Sequence, residues 1–241
     1  MPRNILMKFA FSLAVLSIAA LGSVSTAKAD LVQLTEAQLQ GQGVGSVLTV
    51  LSLQSPDNTS RESGGVDFIG GGFHAFGNFS PPDGSPKNQP FTLAAIGAAS
   101  ASELALIVNL SEPGSEDPPT VTTTNSGGGF RITLQVYDAA GNLAQTHTLA
   151  ADAILVSDHQ GVGGSGLVFV LDAAEAAALQ AFIDANPGYQ LTVWATFINA
   201  TGGIDVVQAG ALVAVPEPAS MLLLGTGLLG LAGAARRRFR K

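Results

Sequence analysis

The basic residues of this chain are concentrated at its two ends, and each basic end adjoins an apolar segment. Of the 11 Lys and Arg residues, three precede residue 30 and five follow residue 235. The stretch 30–215 keeps three of them and holds 17 of the 18 acidic residues, a formal balance of −14. We therefore interpret the two ends as targeting segments and the residues between them as an acidic folded domain. No nucleic-acid partner is expected, because phosphate affinity comes mainly from Lys and Arg.

The N-terminal segment has the pattern of a secretory signal peptide. Arg3 and Lys8 precede an apolar run over 9–21, and small residues follow up to Ala27 and Ala29. This A-x-A site predicts a signal peptide over residues 1–29 with cleavage after Ala29. The alternative is an uncleaved anchor, but 13 helical residues rise only about 20 Å against a hydrocarbon core of about 30 Å. Since a twin-arginine pair is missing, we expect export through the general secretion translocon.

The C-terminal segment, residues 214–241, combines a proline-flanked tripeptide, an apolar stretch and a basic end. The tripeptide is Pro216-Glu217-Pro218, the apolar stretch covers 221–235, and the basic end covers 236–241. The positive-inside rule keeps the Arg cluster cytoplasmic and places the acidic domain on the outer side of the membrane. Fifteen helical residues rise only about 22 Å, so the predicted transmembrane helix is marginal as a permanent anchor.

These C-terminal features resemble the PEP-CTERM sorting signal of Gram-negative bacteria. The resemblance covers about 25 residues, and it implies transient residence in the inner membrane, processing by the membrane peptidase exosortase and delivery to the outer surface. It also implies that Pro216, Glu217 and Pro218 are the recognised residues. Arg236, Arg237 and Arg238 would fix the topology. The alternative is an ordinary single-pass anchor after a proline linker.

The central domain, residues 30–213, has the alternating apolar pattern of β-strands separated by Gly, Pro, Asn and Ser. This pattern predicts a mainly β fold, an antiparallel β-sandwich or jelly roll. One short helix is expected after Asp172, which acts as its N-cap with Glu175 three residues on. A hairpin is expected over 137–142, and the stretch 120–125 is interpreted as a loop rather than an edge strand. The eight predicted strands are 46–53, 72–79, 103–110, 131–137, 143–148, 166–171, 191–198 and 204–213.

The sequence contains no recognisable catalytic motif, and we predict that the protein is not an enzyme. The absence of Cys excludes thiolate metal sites, cysteine nucleophiles and disulfides. Neither His74 nor His147 has a second histidine at metal-ligand spacing, and the best local polar pair is Asp158 with His159. A hydrolase of unfamiliar design, which would place that pair beside Ser157 or Ser165, is the least favoured alternative.

No cofactor or metal is expected, although calcium is the least implausible ion for an exported acidic domain. The acids concerned do not follow the EF-hand pattern, so we interpret them as solvated. They are Asp57, Glu62 and Asp67 in one segment and Glu112, Glu116 and Asp117 in another.

The aromatic residues offer little support for sugar binding, since Tyr137, Tyr189 and Trp194 are few. Four phenylalanines at strand spacing are assigned to the core: Phe68, Phe73, Phe76 and Phe79.

The sequence thus predicts an exported surface or extracellular-matrix protein with a structural role in exopolysaccharide or biofilm. The alternative is a carbohydrate-binding module for the matrix polysaccharide.

Overall fold

The computed structural model describes residues 30–35, 42–55, 59–79, 86–110, 120–156, 166–200 and 203–214, and within them the chain forms twelve β-strands and one α-helix. The helix is α1 (Ala173–Ala185), and short 3-10 helices occur at Ala94–Ile96, Ala101–Glu103 and Ser126–Gly128. The strands are β1 (Asp30–Gln33), β2 (Gln42–Gln54), β3 (Arg61–Ile69), β4 (Gly72–Gly77), β5 (Leu104–Asn109), β6 (Thr120–Thr123), β7 (Thr133–Tyr137), β8 (Leu143–Leu149), β9 (Ala153–Val156), β10 (Leu167–Leu171), β11 (Gln190–Ile198) and β12 (Ile204–Ala214).

The strands form one curled sheet in the order β2-β12-β5-β10-β1-β8-β7-β11-β3-β4, with β6 attached to β11 and β9 attached to β6. The mainly β prediction is confirmed, whereas the expected separation into two sheets is not seen among the described strands. The reason is β1, which pairs with β10 on one edge and β8 on the other and so joins the two halves. Its pairing with β8 is parallel, which departs from the antiparallel expectation.

The two ends of this strand path meet at one corner of the sheet. Leu53 of β2 forms an isolated bridge with Phe79, just beyond β4. The backbone N–H of Gln54 donates to the carbonyl oxygen of Asn78 at 2.9 Å. The sheet therefore curls far enough for its first and last strands to make contact.

Strand β7 shows how the apolar pattern forms the core. Leu134 and Val136 on β7, and Ile132 just before it, are fully buried in the main hydrophobic cluster, as the alternation predicts. The opposite face of β7 is also buried. Its polar side chains tolerate burial because they form hydrogen bonds with side chains on β8. The Thr146 hydroxyl donates to Gln135 Oε1 at 2.7 Å. Burial of each large apolar side chain contributes roughly 1.5–3 kcal/mol to folding.

Helix α1 begins at the predicted cap. The Asp172 carboxylate accepts hydrogen bonds from the backbone N–H groups of Ala174 and Glu175 at 2.8 and 2.9 Å, which satisfies donors that the first helical turn leaves free. Leu179 is fully buried in the core. The Gln180 side chain accepts a hydrogen bond from the backbone of Ala101, so the helix also anchors the segment that leads into β5.

The turn signals are mostly confirmed. The predicted hairpin joins β7 to β8, where Asp138 accepts hydrogen bonds from the backbone of Ala140 and Asn142 and Gly141 has a φ of 83°. The loop interpretation of 120–125 is wrong in part, because Thr120–Thr123 is strand β6 and pairs with β9 and β11.

Candidate functional site

The C-terminal end of β12 is the place where the folded domain meets the predicted sorting segment. Up to Ala211 this strand is paired on both edges, by β5 and by β2. Beyond that residue it pairs with β2 alone, and its last pair joins Ala214 to Gln42. Pro216 follows two residues later and has no N–H to continue the ladder. The sorting segment therefore starts at the C-terminal end of β12, and Val215 alone separates Ala214 from Pro216.

The predicted targeting residues themselves lie outside the described residues. These are Ala27 and Ala29 at the signal-peptide site, Pro216, Glu217 and Pro218 in the tripeptide, and Arg236, Arg237 and Arg238 in the basic end.

The described residues that adjoin the two targeting segments lie at the same end of the sheet. The register along β12, β5, β10 and β1 places Ala211 and Leu31 in one row across these strands. Asp30 and Ala214 lie one and three residues beyond that row. Three interstrand spacings separate their strands, about 14 Å along the sheet. The pairs that define the row are Ala211–Leu104, Ala105–Val170 and Leu171–Leu31.

The structure reveals a buried ionisable pair that the sequence did not indicate, His147 with Glu175. His147 Nδ1 lies 3.3 Å from Glu175 Oε2, and the two side chains are 2% and 7% exposed. Burial lowers the pKa of His147, and the negative charge of Asp172 opposes this effect only in part. Since neither side chain is open to a substrate, we assign the pair to the packing of α1 against β8.

The other residues considered for catalysis are not brought together within the described part of the chain. His74 lies exposed on β4. Ser157, Asp158, His159 and Ser165 lie outside the described residues.

Two of the acids interpreted as solvated are strand residues with defined partners. Glu62 on β3 is fully buried and accepts hydrogen bonds from the backbone N–H and the hydroxyl of Ser55, at 2.6 and 3.1 Å. Asp67 accepts a hydrogen bond of 2.6 Å from the Tyr137 hydroxyl. Burial, together with this bond, raises the pKa of Tyr137. The interpretation of Glu62 as solvated is wrong, because it lies on the core-facing side of β3.

In the part of the chain that the structure describes, no three His, Asp or Glu side chains are grouped so that they could hold a metal ion. Asp57, Glu112, Glu116 and Asp117 lie outside the described residues.

The assignment of the phenylalanines to the core is wrong, since Phe68, Phe73, Phe76 and Phe79 are all half-buried and lie outside the main hydrophobic cluster. For Phe76 the physical reason is that period-two alternation separates two faces of a strand without saying which face is covered. Phe68 and Phe73 pair with each other next to the β3–β4 turn, at the end of the two strands.

Phe76 belongs instead to a cluster on the outer face of the sheet, which we call the outer aromatic cluster (Phe76, Phe130 and Trp194). The three rings pack edge to face, with centroid separations of 5.8, 5.3 and 4.9 Å. Trp194 Nε1 donates to the carbonyl oxygen of Val66 at 2.8 Å, which fixes the indole. Trp194 is half-buried, and its neighbours on β11 point into the core. A partly exposed, rigid aromatic surface therefore lies over the centre of β11 and β3.

No helix among the described residues is long and apolar enough to cross a membrane. Neither a curated protein nor a solved structure matches the chain. One family model does match: residues 214–238, which begin at the last residue of β12, correspond to the PEP-CTERM protein-sorting motif. The chain therefore carries a PEP-CTERM sorting signal, which confirms the resemblance drawn from its C-terminal sequence.

Proposed function

We propose that this protein is an exported, non-enzymatic β domain that exosortase processes at its C-terminal signal and that then serves as a structural component of exopolysaccharide or biofilm at the cell surface. The observation that carries the proposal is the PEP-CTERM match over 214–238. Exosortase is the processing partner that this signal implies, and export with delivery toward the cell surface is the route that it implies.

The N-terminal boundary of the fold agrees with this route. Strand β1 begins at Asp30, the residue that follows the predicted cleavage site. Removal of residues 1–29 therefore leaves every described residue of β1 in place. The formal net charge of −14 over residues 30–215 favours a processed protein that stays in solution, because its strong negative charge limits association with anionic surfaces.

The proposal predicts different products in cells with and without exosortase. With the peptidase, the protein should be recovered from the cell surface or medium, and its intact mass should show that residues 221–241 are missing. Without it, the protein should fractionate with the inner membrane and retain the tail. Surface material that retains residues 221–241 would contradict processing and favour an ordinary anchor. A protein exported by the same translocon without a sorting signal serves as the control.

The outer aromatic cluster favours one alternative, a carbohydrate-binding module for the matrix polysaccharide. Ligand sites typically combine aromatic surfaces with a few polar groups, and the rings of Phe76, Phe130 and Trp194 are held rigidly with part of their area exposed.

For this alternative we predict that Phe130→Ala weakens binding of the mature protein to matrix polysaccharide by on the order of tenfold, since loss of one stacked ring costs about 1.4 kcal/mol. The matched control is Phe73→Ala, which removes a half-buried ring outside the cluster. Pull-down with isolated matrix polysaccharide measures the effect. Equal binding by both variants, or no binding by the unaltered protein, would count against a carbohydrate-binding role.

A further inference from the structure

Two neighbouring hairpins form an apolar projection at one end of the sheet. We call it the apolar tip and define it by residues 69–71 of the β3–β4 hairpin and 139–143 of the β7–β8 hairpin. Ile69 is 53% exposed and Leu143 is 51% exposed. The other residues of the tip are three glycines, two alanines and Asn142.

Packing beneath the tip holds the two hairpins together. Gly141 lies so close to the ring of Phe68 that the site has no room for a Cβ. The ring of Phe73 contacts Tyr137 edge to face with centroids 5.3 Å apart. The Tyr137 hydroxyl donates to Asp67 across the same junction. The two exposed side chains are therefore presented by a fixed base.

The apolar tip lies at the end of the sheet where the described chain begins and ends. Strand β8 runs parallel to β1 with Thr148 beside Asp30, so its first residue, Leu143, lies toward the end at which β1 starts. The antiparallel series β8, β7, β11 and β3 then brings Ile69, the last residue of β3, to that same end. Ala214 also lies there, through the register of β12.

The apolar tip is uncharged, although acidic residues such as Glu103 and Asp172 lie at the same end of the sheet. The tip contains no Lys, Arg, Asp or Glu. The adjacent Asp138 accepts three hydrogen bonds from the hairpin, one from Ala140 and two from Asn142. The cation Arg61 is the first residue of β3 and Arg131 precedes β7, so both lie at the opposite end of the sheet. Like charge would hold the rest of an acidic domain away from anionic lipid, so contact is confined to the tip.

The length of chain outside the fold limits how far this end can stand from the membrane. Six residues, 215–220, separate Ala214 from the first residue of the apolar segment, Met221. Fully extended, they span at most about 20 Å. The end of the sheet that bears Ala214 must therefore face the bilayer that holds the tail.

We propose that the apolar tip rests on the outer leaflet of the membrane that holds the sorting tail, with Ile69 and Leu143 inserted among the lipid headgroups. This inference rests on the proposed function, because it requires a membrane-held tail. Contact at the tip would fix the orientation of the domain, with the end of the sheet that bears Ala214 toward the membrane. It would also hold the segment after Ala214 at the membrane surface. It would end when the tail is removed, since two side chains alone give only weak membrane binding.

The experiment uses the full chain, whose lack of cysteine permits single thiol labels. Ala140→Cys places a fluorophore on the exposed tip, and Ser126→Cys places one on an exposed turn at the opposite end. The labelled chains are reconstituted with their tails into vesicles of phosphatidylethanolamine and phosphatidylglycerol that contain headgroup-quencher lipid. We expect quenching at position 140 to exceed that at position 126 by at least about twofold.

A second comparison tests whether quenching at position 140 depends on the apolar side chains of the tip or only on the closeness of the whole domain to the membrane. Ile69→Ser with Leu143→Ser should reduce quenching at position 140 toward the level at 126. Ile154→Ser, which alters a side chain 64% exposed on β9, should not. Equal quenching at 140 and 126 in a membrane-held chain overturns this inference and leaves the sorting route intact. A full chain that does not stay with the vesicles contradicts both.

Discussion

Replacing Pro216, Glu217 and Pro218 together with alanine is expected to reduce surface delivery by about tenfold or more, because a lost hydrogen bond to a charged group alone costs about 1.5–3 kcal/mol. Proline has no N–H donor and disfavours helical backbone at the residue before it, so the two prolines oppose helix formation in this segment. Alanine is the strongest helix former, so the triple substitution would let the apolar helix begin closer to Ala214. The peptidase would then meet a continuous helix instead of a stiff extended peptide.

Fractionation and intact mass measure this result, with the variant retained in the inner membrane and its tail uncut. Ser220→Ala is the matched control, since it lies in the same segment but outside the tripeptide. The domain itself should be unaffected, because β12 ends at Ala214 before the altered residues. Protease resistance of the domain checks this point. Normal surface delivery of the triple variant would contradict recognition through the tripeptide.

The strands that could be predicted from the sequence are those whose alternation is continuous. Strand β11 is an example, since Leu191, Val193, Ala195 and Phe197 all point into the core. Strand β3 was missed because Gly64 and Gly65 interrupt its alternation, and both glycines are required by contacts from other strands. A Cβ at Gly65 would collide with the indole of Trp194, which lies 129 residues away in sequence. No local pattern records such a neighbour.

Strands β1, β6 and β9 were missed for a different reason, their length of four residues each. Four residues show at most two alternations, which a loop also provides by chance. Strand β1 is nevertheless the one that joins the two halves of the sheet, so its position decided between one sheet and two. Topology depended on the segment with the weakest sequence signal.

Whether a candidate site could be predicted also depended on whether its residues are contiguous in the sequence. The sorting signal is contiguous in sequence, so it could be recognised directly, and the family match over residues 214–238 confirms the resemblance. The His147–Glu175 pair and the outer aromatic cluster join residues from different strands and a helix. Their formation depends on strand register, which turn chemistry and long-range pairing determine. The apolar tip likewise follows from register rather than from any motif.

Gly77→Ala is expected to lower the free energy of unfolding by on the order of 3 kcal/mol, among the largest effects of a single substitution in this fold. Gly77 has a φ of 86°, a conformation that alanine adopts only with strain. The Cβ that alanine adds at this position would also collide with the carbonyl oxygen of Ser63 and the Cα of Gly64. Both are backbone atoms of β3, so the clash can be relieved only by moving the strand.

The matched control is Gly70→Ala, since Gly70 also has a positive φ, 61°, but no atom lies within 4 Å of the new Cβ. Strain alone should cost it about 1 kcal/mol. Urea unfolding measures both variants, with a lower midpoint and an unchanged slope. Equal losses in the two variants would show that the close approach to β3 contributes nothing.

The difference matters because Gly77 directs the chain into the corner where the sheet curls back on itself. The next residue, Asn78, donates its N–H to the Ser63 carbonyl at 2.8 Å and accepts from Gln54 of β2. Displacing β3 or Gly77 would break both bonds and separate the first strand of the path from the last. We therefore expect Gly77→Ala, unlike Gly70→Ala, to increase hydrogen exchange at the amides of Gln54 and Asn78 before the rest of the sheet opens.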